Sequence, residues 1–136
     1  MRKKKLMSDN RGLPLQRIPK GWSSKDIPDL TGKHFVITGA TSGIGKEAAR
    51  ELARAKAKVT IAVRNGEAGE RVRKEISEER VKVVRLDLTD LTSVRSAARA
   101  IDEEIDVLIL NAGIMAIPFT TTLDGFEAQM GTNHLG

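Results

Sequence analysis

The 136-residue chain contains no cysteine, no tyrosine and only two histidines. The absence of cysteine excludes disulfides, a thiolate metal site and a cysteine nucleophile. The two histidines, His34 and His134, lie far apart in the sequence, so we expect no metal site. No apolar run approaches the ~18 residues that a membrane-spanning helix needs, and we therefore predict no membrane span.

The positive charge of the chain is concentrated in its first residues. Residues 1–28 hold eight basic and two acidic side chains, whereas residues 29–136 hold 15 basic and 16 acidic ones. We predict that residues 1–28 form a basic, disordered leader and expect no nucleic-acid partner, because the body is nearly neutral. A weak contact of the leader with nucleic acid or a membrane surface is the alternative. The leader lacks the apolar core of a secretory signal, and we expect a cytoplasmic protein.

From residue 31 onward, short apolar segments alternate with amphipathic ones. Residues 34–38, 58–63, 81–86 and 106–110 predict strands. Residues 46–57, 67–79 and 91–105 predict helices, and another helix is expected to begin near Leu123 or Asp124. In the first helix, Ile44, Ala48 and Leu52 recur every four residues and predict its buried face. The alternation predicts an α/β domain over residues 29–136, with a parallel sheet covered by helices on both faces.

A glycine-rich turn, "TGATSGIG" at residues 38–45, joins the first strand to its helix. Such a turn can direct backbone N–H groups and the positive end of a helix at a phosphate. We assign Gly39 to the tight turn, Gly43 to the approach of a pyrophosphate and Gly45 to helix–strand packing. Thr41 and Ser42 add hydroxyl donors. The spacing differs from the general dinucleotide fingerprint, so a purely structural turn is the alternative.

For a nicotinamide dinucleotide held at the glycine-rich turn, the residues after the second strand favour NADP(H) over NAD(H). An acid at this position binds the ribose 2′-hydroxyl, whereas a base attracts a 2′-phosphate. Arg64 and Asn65 follow the strand, and no acid occurs before Glu67. The planar guanidinium of Arg64 suits a phosphate. The alternative is a solvated arginine, with NAD(H) accepted as well.

Four ordered stretches make the chain resemble the short-chain dehydrogenase/reductase family. They are T-G-x-x-x-G-I-G after the first strand, "LDL" at 86–88, "NAG" at 111–113 and "TNHLG" at 132–136. The segments "GWSSKDIPDLTGK" (21–33) and "DGFEAQMGTNHLG" (124–136) resemble its retinol-dehydrogenase-like branch. The resemblance covers residues 21–136 and implies a Rossmann-type, doubly wound sheet with the strand order 3-2-1-4-5-6-7.

The resemblance also implies an oxidoreductase that transfers hydride between NADP(H) and a small, hydrophobic alcohol, ketone or aldehyde. It places Asp87 at the adenine amino group and Asn133 in the catalytic machinery, where its amide is held by a local bend and orders a water. The stretch that begins with Asn111 is implied both to stabilise the sheet and to line the cofactor ribose. The plainer alternatives are a solvated or capping acid for Asp87 and a turn former for Asn111. For Asn133 the alternative is a partner for backbone groups or a bound water, which in this family coincides with the catalytic role. With Arg64, the cofactor-binding residues are then Gly39, Thr41, Ser42, Gly43, Ile44, Gly45, Asp87, Leu88, Asn111, Ala112 and Gly113.

Two features depart from the family pattern. Leu110 replaces the first of two asparagines, and we expect its side chain to pack against the sheet. The family's catalytic Ser and Tyr-x-x-x-Lys pair lie past residue 136, as expected of an N-terminal part of a longer, homo-oligomeric enzyme. We therefore expect cofactor binding without turnover, and a fourth strand that becomes an aggregation-prone edge. The alternatives are a non-catalytic NADP(H)-binding regulatory module and an interaction remnant without cofactor.

Overall fold

The computed structural model describes residues 19–136. The strands are β1 (His34–Thr38), β2 (Lys58–Val63), β3 (Val81–Arg85) and β4 (Val107–Ile109). The helices are α1 (Gly43–Arg54), α2 (Gly66–Ile76), α3 (Leu91–Ala100) and α4 (Ala128–Met130), which continues as a π-helix over Gly131–Leu135. Among residues 19–136, no helix combines the length and apolarity that a bilayer crossing requires.

The predicted leader is described only in part. Residues 1–18 lie outside the described range, so disorder there stays a prediction. Within residues 19–28, Ser24–Asp26 form a short 3-10 helix with a capping box. Arg54 of α1 donates a hydrogen bond to the Ser24 carbonyl oxygen (2.6 Å), which attaches this segment to the domain.

The four strands form one parallel sheet in the order β3-β2-β1-β4. Parallel neighbours joined by helices give the predicted α/β fold of Rossmann type, and the order agrees with the first four strands that the resemblance implies. All four strands end at the same edge of the sheet. The chain progresses outward from β1 in both directions, so a crevice opens between β1 and β4 at that edge.

The main core lies between the sheet and the inner faces of α1 and α2, and a second, smaller cluster lies between the sheet and α3. Ile37, Val59 and Ile61 of the central strands are fully buried. The predicted inner face of α1 is confirmed for Ala48 and Leu52, which pack against the core, and is wrong for Ile44, which is 84% exposed. The fully buried residues of the helix are Gly45, Ala49 and Ala53. Residues this small let the helix axis approach the sheet closely, and this contact outweighs burial of one large side chain in the first turn.

Ion pairs and a buried histidine stabilise the amino-terminal ends of the strands, at the opposite end of the sheet from the crevice. The loop before β4 pairs Asp106 with Lys33 (2.7 Å) and Glu103 with Lys58. His34 is buried, donates from Nδ1 to the Glu104 carbonyl oxygen (2.9 Å) and accepts at Nε2 from the Thr60 hydroxyl (2.8 Å). His34 is therefore a structural residue that anchors the start of β1.

The closing helix begins later than predicted, at Ala128 rather than near Leu123 or Asp124. A tight turn occupies the residues before it, with the Thr122 N–H donating to the Phe126 carbonyl oxygen (2.8 Å). The Glu127 carboxylate then accepts from the Gln129 and Met130 N–H groups and starts the helix. The apolar spacing of this segment did not reveal the turn.

Candidate functional site

The carboxyl ends of the strands surround a cavity of about 470 Å³. A volume of this size is typical of a small-molecule site, and its place at the strand ends is typical of doubly wound folds. Most of the predicted cofactor-binding residues line it: Gly39, Thr41, Arg64, Asp87, Leu88, Asn111, Ala112 and Gly113. The tertiary structure therefore brings together residues from four separate segments of the sequence.

Asn111 joins the turn after β1 to the turn after β4. Its side-chain Nδ2 donates to the carbonyl oxygens of Thr38 (2.9 Å) and Gly39 (3.2 Å). The Thr38 hydroxyl oxygen in turn accepts from the N–H groups of Asn111 (3.1 Å) and Ala112 (3.0 Å). These four hydrogen bonds hold the two turns together where the crevice opens. The amide donors of Asn111 thus serve to position the walls of the cavity.

Two glycines allow these turns to meet. Gly39 has φ +69°, and a Cβ built on it would lie 2.8 Å from the Ala112 Cα. A Cβ on Gly45 would lie 2.4 Å from Asn111 Nδ2. Both distances are far below van der Waals contact, so a side chain at either position would push the β4 turn away from β1.

The first turn of α1 has backbone donors without a side-chain cap. Asn65 caps α2 through the Ala68 N–H, and Asp90 caps α3 through the Thr92 N–H. Ser42 stands at the same position before α1, but its side chain makes no capping hydrogen bond. The predicted residues Ser42, Gly43 and Ile44 are exposed here, and a Cβ on Gly43 would meet nothing within 4 Å. The helix start is therefore open to an anion.

Asp87 contributes a carboxylate to the cavity at the end of β3. Its Oδ1 accepts from the N–H (2.9 Å) and the hydroxyl (2.7 Å) of Thr89. Within residues 19–136, the second oxygen, Oδ2, forms no hydrogen bond. Partial burial raises the pKa of Asp87, but the Thr89 hydrogen bonds and the charges of Arg64 and Arg85 outweigh it, so the net pKa is lowered. Asp87 is therefore an anion at neutral pH and can accept a further hydrogen bond.

Asn133 lies in the π-helix and holds the loop after β4. Its Oδ1 accepts from the Ile114 N–H (2.8 Å), and its Nδ2 donates to the Ile114 carbonyl oxygen (2.8 Å). This is the partnership with backbone groups that the resemblance implies alongside the catalytic role. The amide therefore positions the loop that carries Asn111, Ala112 and Gly113, and its part in catalysis stays a prediction.

Several lining residues were missed by the sequence analysis: Ala62, Val63, Asn65, Leu86, Thr89, Ile114 and Thr132. Most directly flank predicted strand ends, so their position after a strand was a usable signal. Thr132 follows no strand, and its only signal was its place in the quoted stretch "TNHLG", because it reaches the cavity through the packing of the closing helix. In residues 19–136, no group of three or more His, Asp or Glu side chains is arranged to hold a metal.

Comparison with known proteins agrees with this geometry. A family model described as short chain dehydrogenase matches residues 33–136. Human retinol dehydrogenase 11 is 48% identical over 114 residues, and an oxidoreductase of Schizosaccharomyces pombe is 46% identical over 121 residues. These alignments cover 79% and 84% of this chain but only 36% of each relative.

Solved structures show the same similarity. A protein of Mycobacterium paratuberculosis matches with a TM-score of 0.80 and 50% identity, over 85% of this chain and 42% of that one. A 3-ketoacyl-(acyl-carrier-protein) reductase of Brucella melitensis, complexed with NADH, matches with a TM-score of 0.64 and 33% identity, over 77% and 46%. A gluconate 5-dehydrogenase of Burkholderia cenocepacia, complexed with NADP and tartrate, matches with a TM-score of 0.63 and 32% identity, over 77% and 44%.

Proposed function

Because this chain belongs to the short-chain dehydrogenase family, we propose that it forms the cofactor-binding part of an NAD(P)-dependent oxidoreductase. The observation that carries the proposal is the cavity itself. It lies at the carboxyl ends of parallel strands, beside an uncapped helix start, with Arg64 and Asp87 in its wall. A pyrophosphate group matches the open N–H groups of α1, and the cavity accepts an adenosine at the ends of β2 and β3.

Each residue has a distinct task in this proposal. The Gly43 turn lets the pyrophosphate approach the backbone, and Asp87 accepts a hydrogen bond from the adenine amino group. Asn111 engages both of its amide donors with the Thr38 and Gly39 carbonyls and so holds the β4 turn beside β1. Asn133 holds the loop after β4 through the Ile114 backbone. The nicotinamide cofactor, when bound, supplies or accepts the hydride, and the residues of this chain bind and orient it.

NADPH is expected to bind more tightly than NADH. Arg64 is exposed at the end of β2, where the adenosine ribose would lie, and its guanidinium can form charge-assisted hydrogen bonds with a 2′-phosphate. Replacing it, in Arg64→Gln, is expected to weaken NADPH binding about tenfold or more, with little change for NADH. Isothermal titration with each cofactor measures both affinities, with Leu110→Lys added to every chain to prevent the self-association expected through the exposed edge of β4.

Arg71→Gln provides the matched control for this titration. Arg71 is also an exposed arginine, but it lies on α2 and does not line the cavity. Its replacement removes the same charge from the protein and is expected to leave both affinities unchanged. Equal binding of NADPH and NADH by the unmodified chain would contradict the role of Arg64, and binding of neither would contradict the proposed function.

The 136-residue chain is expected to bind NADPH without oxidising it. The resemblance assigns proton transfer to a tyrosine, and this sequence contains none. General acid–base catalysis typically contributes ~10²–10⁴-fold to a rate. Incubating the chain with NADPH and a long-chain aldehyde should therefore leave the NADPH concentration unchanged beyond the rate without protein. Robust consumption of NADPH that depends on the aldehyde would refute this prediction.

For the whole protein, we propose a small hydrophobic alcohol, ketone or aldehyde as substrate. Support comes from its similarity to human retinol dehydrogenase 11, a relative whose name specifies such an alcohol. The apolar side chains Met115, Ile117 and Phe119 are consistent with this, because they are exposed in the loop that leads away from the cavity wall at Ile114.

A further inference from the structure

Thr132 carries a hydroxyl group with no hydrogen-bond partner at the cofactor cavity. The residue is 7% exposed, and among residues 19–136 its Oγ1 is the one buried side-chain polar atom that lacks a partner. Buried hydroxyls are almost always hydrogen-bonded, because an unpaired one loses its interaction with water and gains nothing in return. An exception in the wall of a binding cavity suggests that the missing partner is a ligand.

The local helix geometry does not supply that partner. In a regular helix, a threonine hydroxyl commonly donates to the carbonyl oxygen four residues earlier. For Thr132 this is the Ala128 carbonyl, but the Thr132 hydroxyl forms no hydrogen bond to it. The helix is π-helical over Gly131–Leu135, and the hydroxyl is unpaired at a position where this helix lines the cavity.

A single side-chain rotation can change what Thr132 presents. Turning the Cα–Cβ bond exchanges the hydroxyl with a methyl group of nearly the same size, and threonine in helices occupies two such rotamers. Because Thr132 lines the cavity, such a rotation is the way in which a ligand there would reach the hydroxyl, which can then donate or accept a hydrogen bond.

The position of Thr132 selects the part of the ligand that it meets. The cavity is walled by Arg64 and Asn65 at the end of β2, and by Asp87 and Leu88 at the end of β3. The end of the π-helix packs against Leu88, since a Cβ on Gly136 would lie 2.5 Å from the Leu88 carbonyl oxygen. In doubly wound folds, the end of β2 receives the ribose of the adenosine. Asn133, next to Thr132, pairs with Ile114 on the β4 side. The contact of Gly136 with Leu88 is therefore the reason for assigning Thr132 to the adenosine half.

We propose that Thr132 hydrogen-bonds the adenosine half of the cofactor and is a binding residue of this site. The proposal rests on the proposed function. It assigns to Thr132 a contact that the hydroxyl makes only in the bound state, because in the free protein the same oxygen is sealed and unpaired. The unpaired, buried hydroxyl raises the free energy of the free protein, and a hydrogen bond to the ligand removes this penalty, so the contact tightens binding.

The test uses adenosine 2′,5′-bisphosphate, a fragment that carries only the adenosine half, together with NADPH. Thr132→Val keeps the shape of the side chain and removes the hydroxyl, and Thr132→Ser keeps the hydroxyl. We expect Thr132→Val to weaken both ligands about three- to tenfold and Thr132→Ser to bind within about twofold of the original chain. Every chain in these binding and melting tests carries Leu110→Lys, which prevents the self-association expected through β4 and lies outside the lining of the cavity. Calorimetry of these chains gives all the affinities.

Thermal unfolding separates this contact from a purely structural role. Without ligand, Thr132→Val should melt at the same or a higher temperature, because it removes an unpaired buried oxygen. The increase in melting temperature caused by adenosine 2′,5′-bisphosphate should be smaller than for the original chain. Lower stability without ligand combined with an unchanged ligand effect would overturn the proposal.

The remaining outcomes are also decisive. If Thr132→Val binds both ligands as well as the original chain, the proposed contact is wrong, while the proposed function stands. If it loses affinity for NADPH but not for the fragment, the hydroxyl meets the nicotinamide half and the assignment is wrong. If the original chain binds neither ligand, the proposed function fails, and the contact fails with it.

Discussion

The 136-residue chain is expected to self-associate through strand β4, and Leu110→Lys is expected to return most of it to the monomer. Within residues 19–136, β4 pairs only with β1, so its other edge has free backbone donors and acceptors. The apolar side chains of Val107 and Leu108 are exposed along it. Leu110, which was expected to pack against the sheet, is instead 77% exposed. An apolar edge of this kind is a template for another chain.

The other outer strand of the sheet, β3, shows how pairing with a second chain is usually prevented. Strand β3 exposes Lys82 and Arg85, and charged side chains on an edge strand oppose the approach of a second one. Strand β4 has no basic residue between Val107 and Leu110. Lysine at the exposed position 110 would give this edge the same protection at little cost to the core.

Leu123→Lys is the matched control for Leu110→Lys. Leu123 is 79% exposed, nearly the same as Leu110, but it lies in the turn before α4 rather than beside a free strand edge. Both variants add one charge and remove one exposed leucine. Light scattering and size-exclusion chromatography should show monomer for Leu110→Lys and large species for Leu123→Lys and the original chain. A soluble original chain that melts cooperatively as a monomer would contradict the prediction.

Gly39→Ala is expected to lower the free energy of unfolding by about 2–5 kcal/mol and to abolish measurable NADPH binding. The left-handed backbone at Gly39, with φ +69°, costs an alanine roughly 1–2 kcal/mol. Its Cβ would also meet the Ala112 Cα at 2.8 Å, and such overpacking typically costs about 1–3 kcal/mol. Ala112 cannot yield freely, because its N–H is bonded to the Thr38 hydroxyl. The clash therefore displaces the wall of the cavity.

Gly32→Ala separates these two effects. Gly32 also has a left-handed backbone, with φ +80°, but a Cβ built there would meet nothing within 4 Å. It should therefore lose only the backbone contribution and keep NADPH binding. Urea unfolding of both variants, in the Leu110→Lys background that prevents association, gives the difference in free energy. A loss in Gly39→Ala no greater than in Gly32→Ala would refute the role of the Ala112 contact.

The strands could be predicted from local sequence because their signal is local. The segments 34–38 and 58–63 were predicted with the boundaries of β1 and β2. The parallel direction of the strands follows from the helix between each strand and the next, because the helix returns the chain to the starting end of the sheet. The buried face of α1 could not be predicted in this way. Ile44 fits the four-residue spacing of apolar side chains along α1. Whether the small residues of the helix face the sheet instead depends on the distance between the helix axis and the sheet, which local sequence does not specify. The same limit explains the late start of α4, where a turn closed by Thr122 and Phe126 replaces the predicted first helical residues.

The sequence by itself determined the kind of fold, the glycine turn and the residues that follow each strand, since the carboxyl ends of parallel strands always meet at one edge. From that rule alone, Arg64, Asp87 and Asn111 belong to one site. Only the tertiary structure decided what each does there. It engages the amide donors of Asn111 with β1, pairs Asn133 with Ile114 and leaves Thr132 without a partner. Strand periodicity carries no information on these contacts, because they join segments far apart in the sequence through distances that only packing sets.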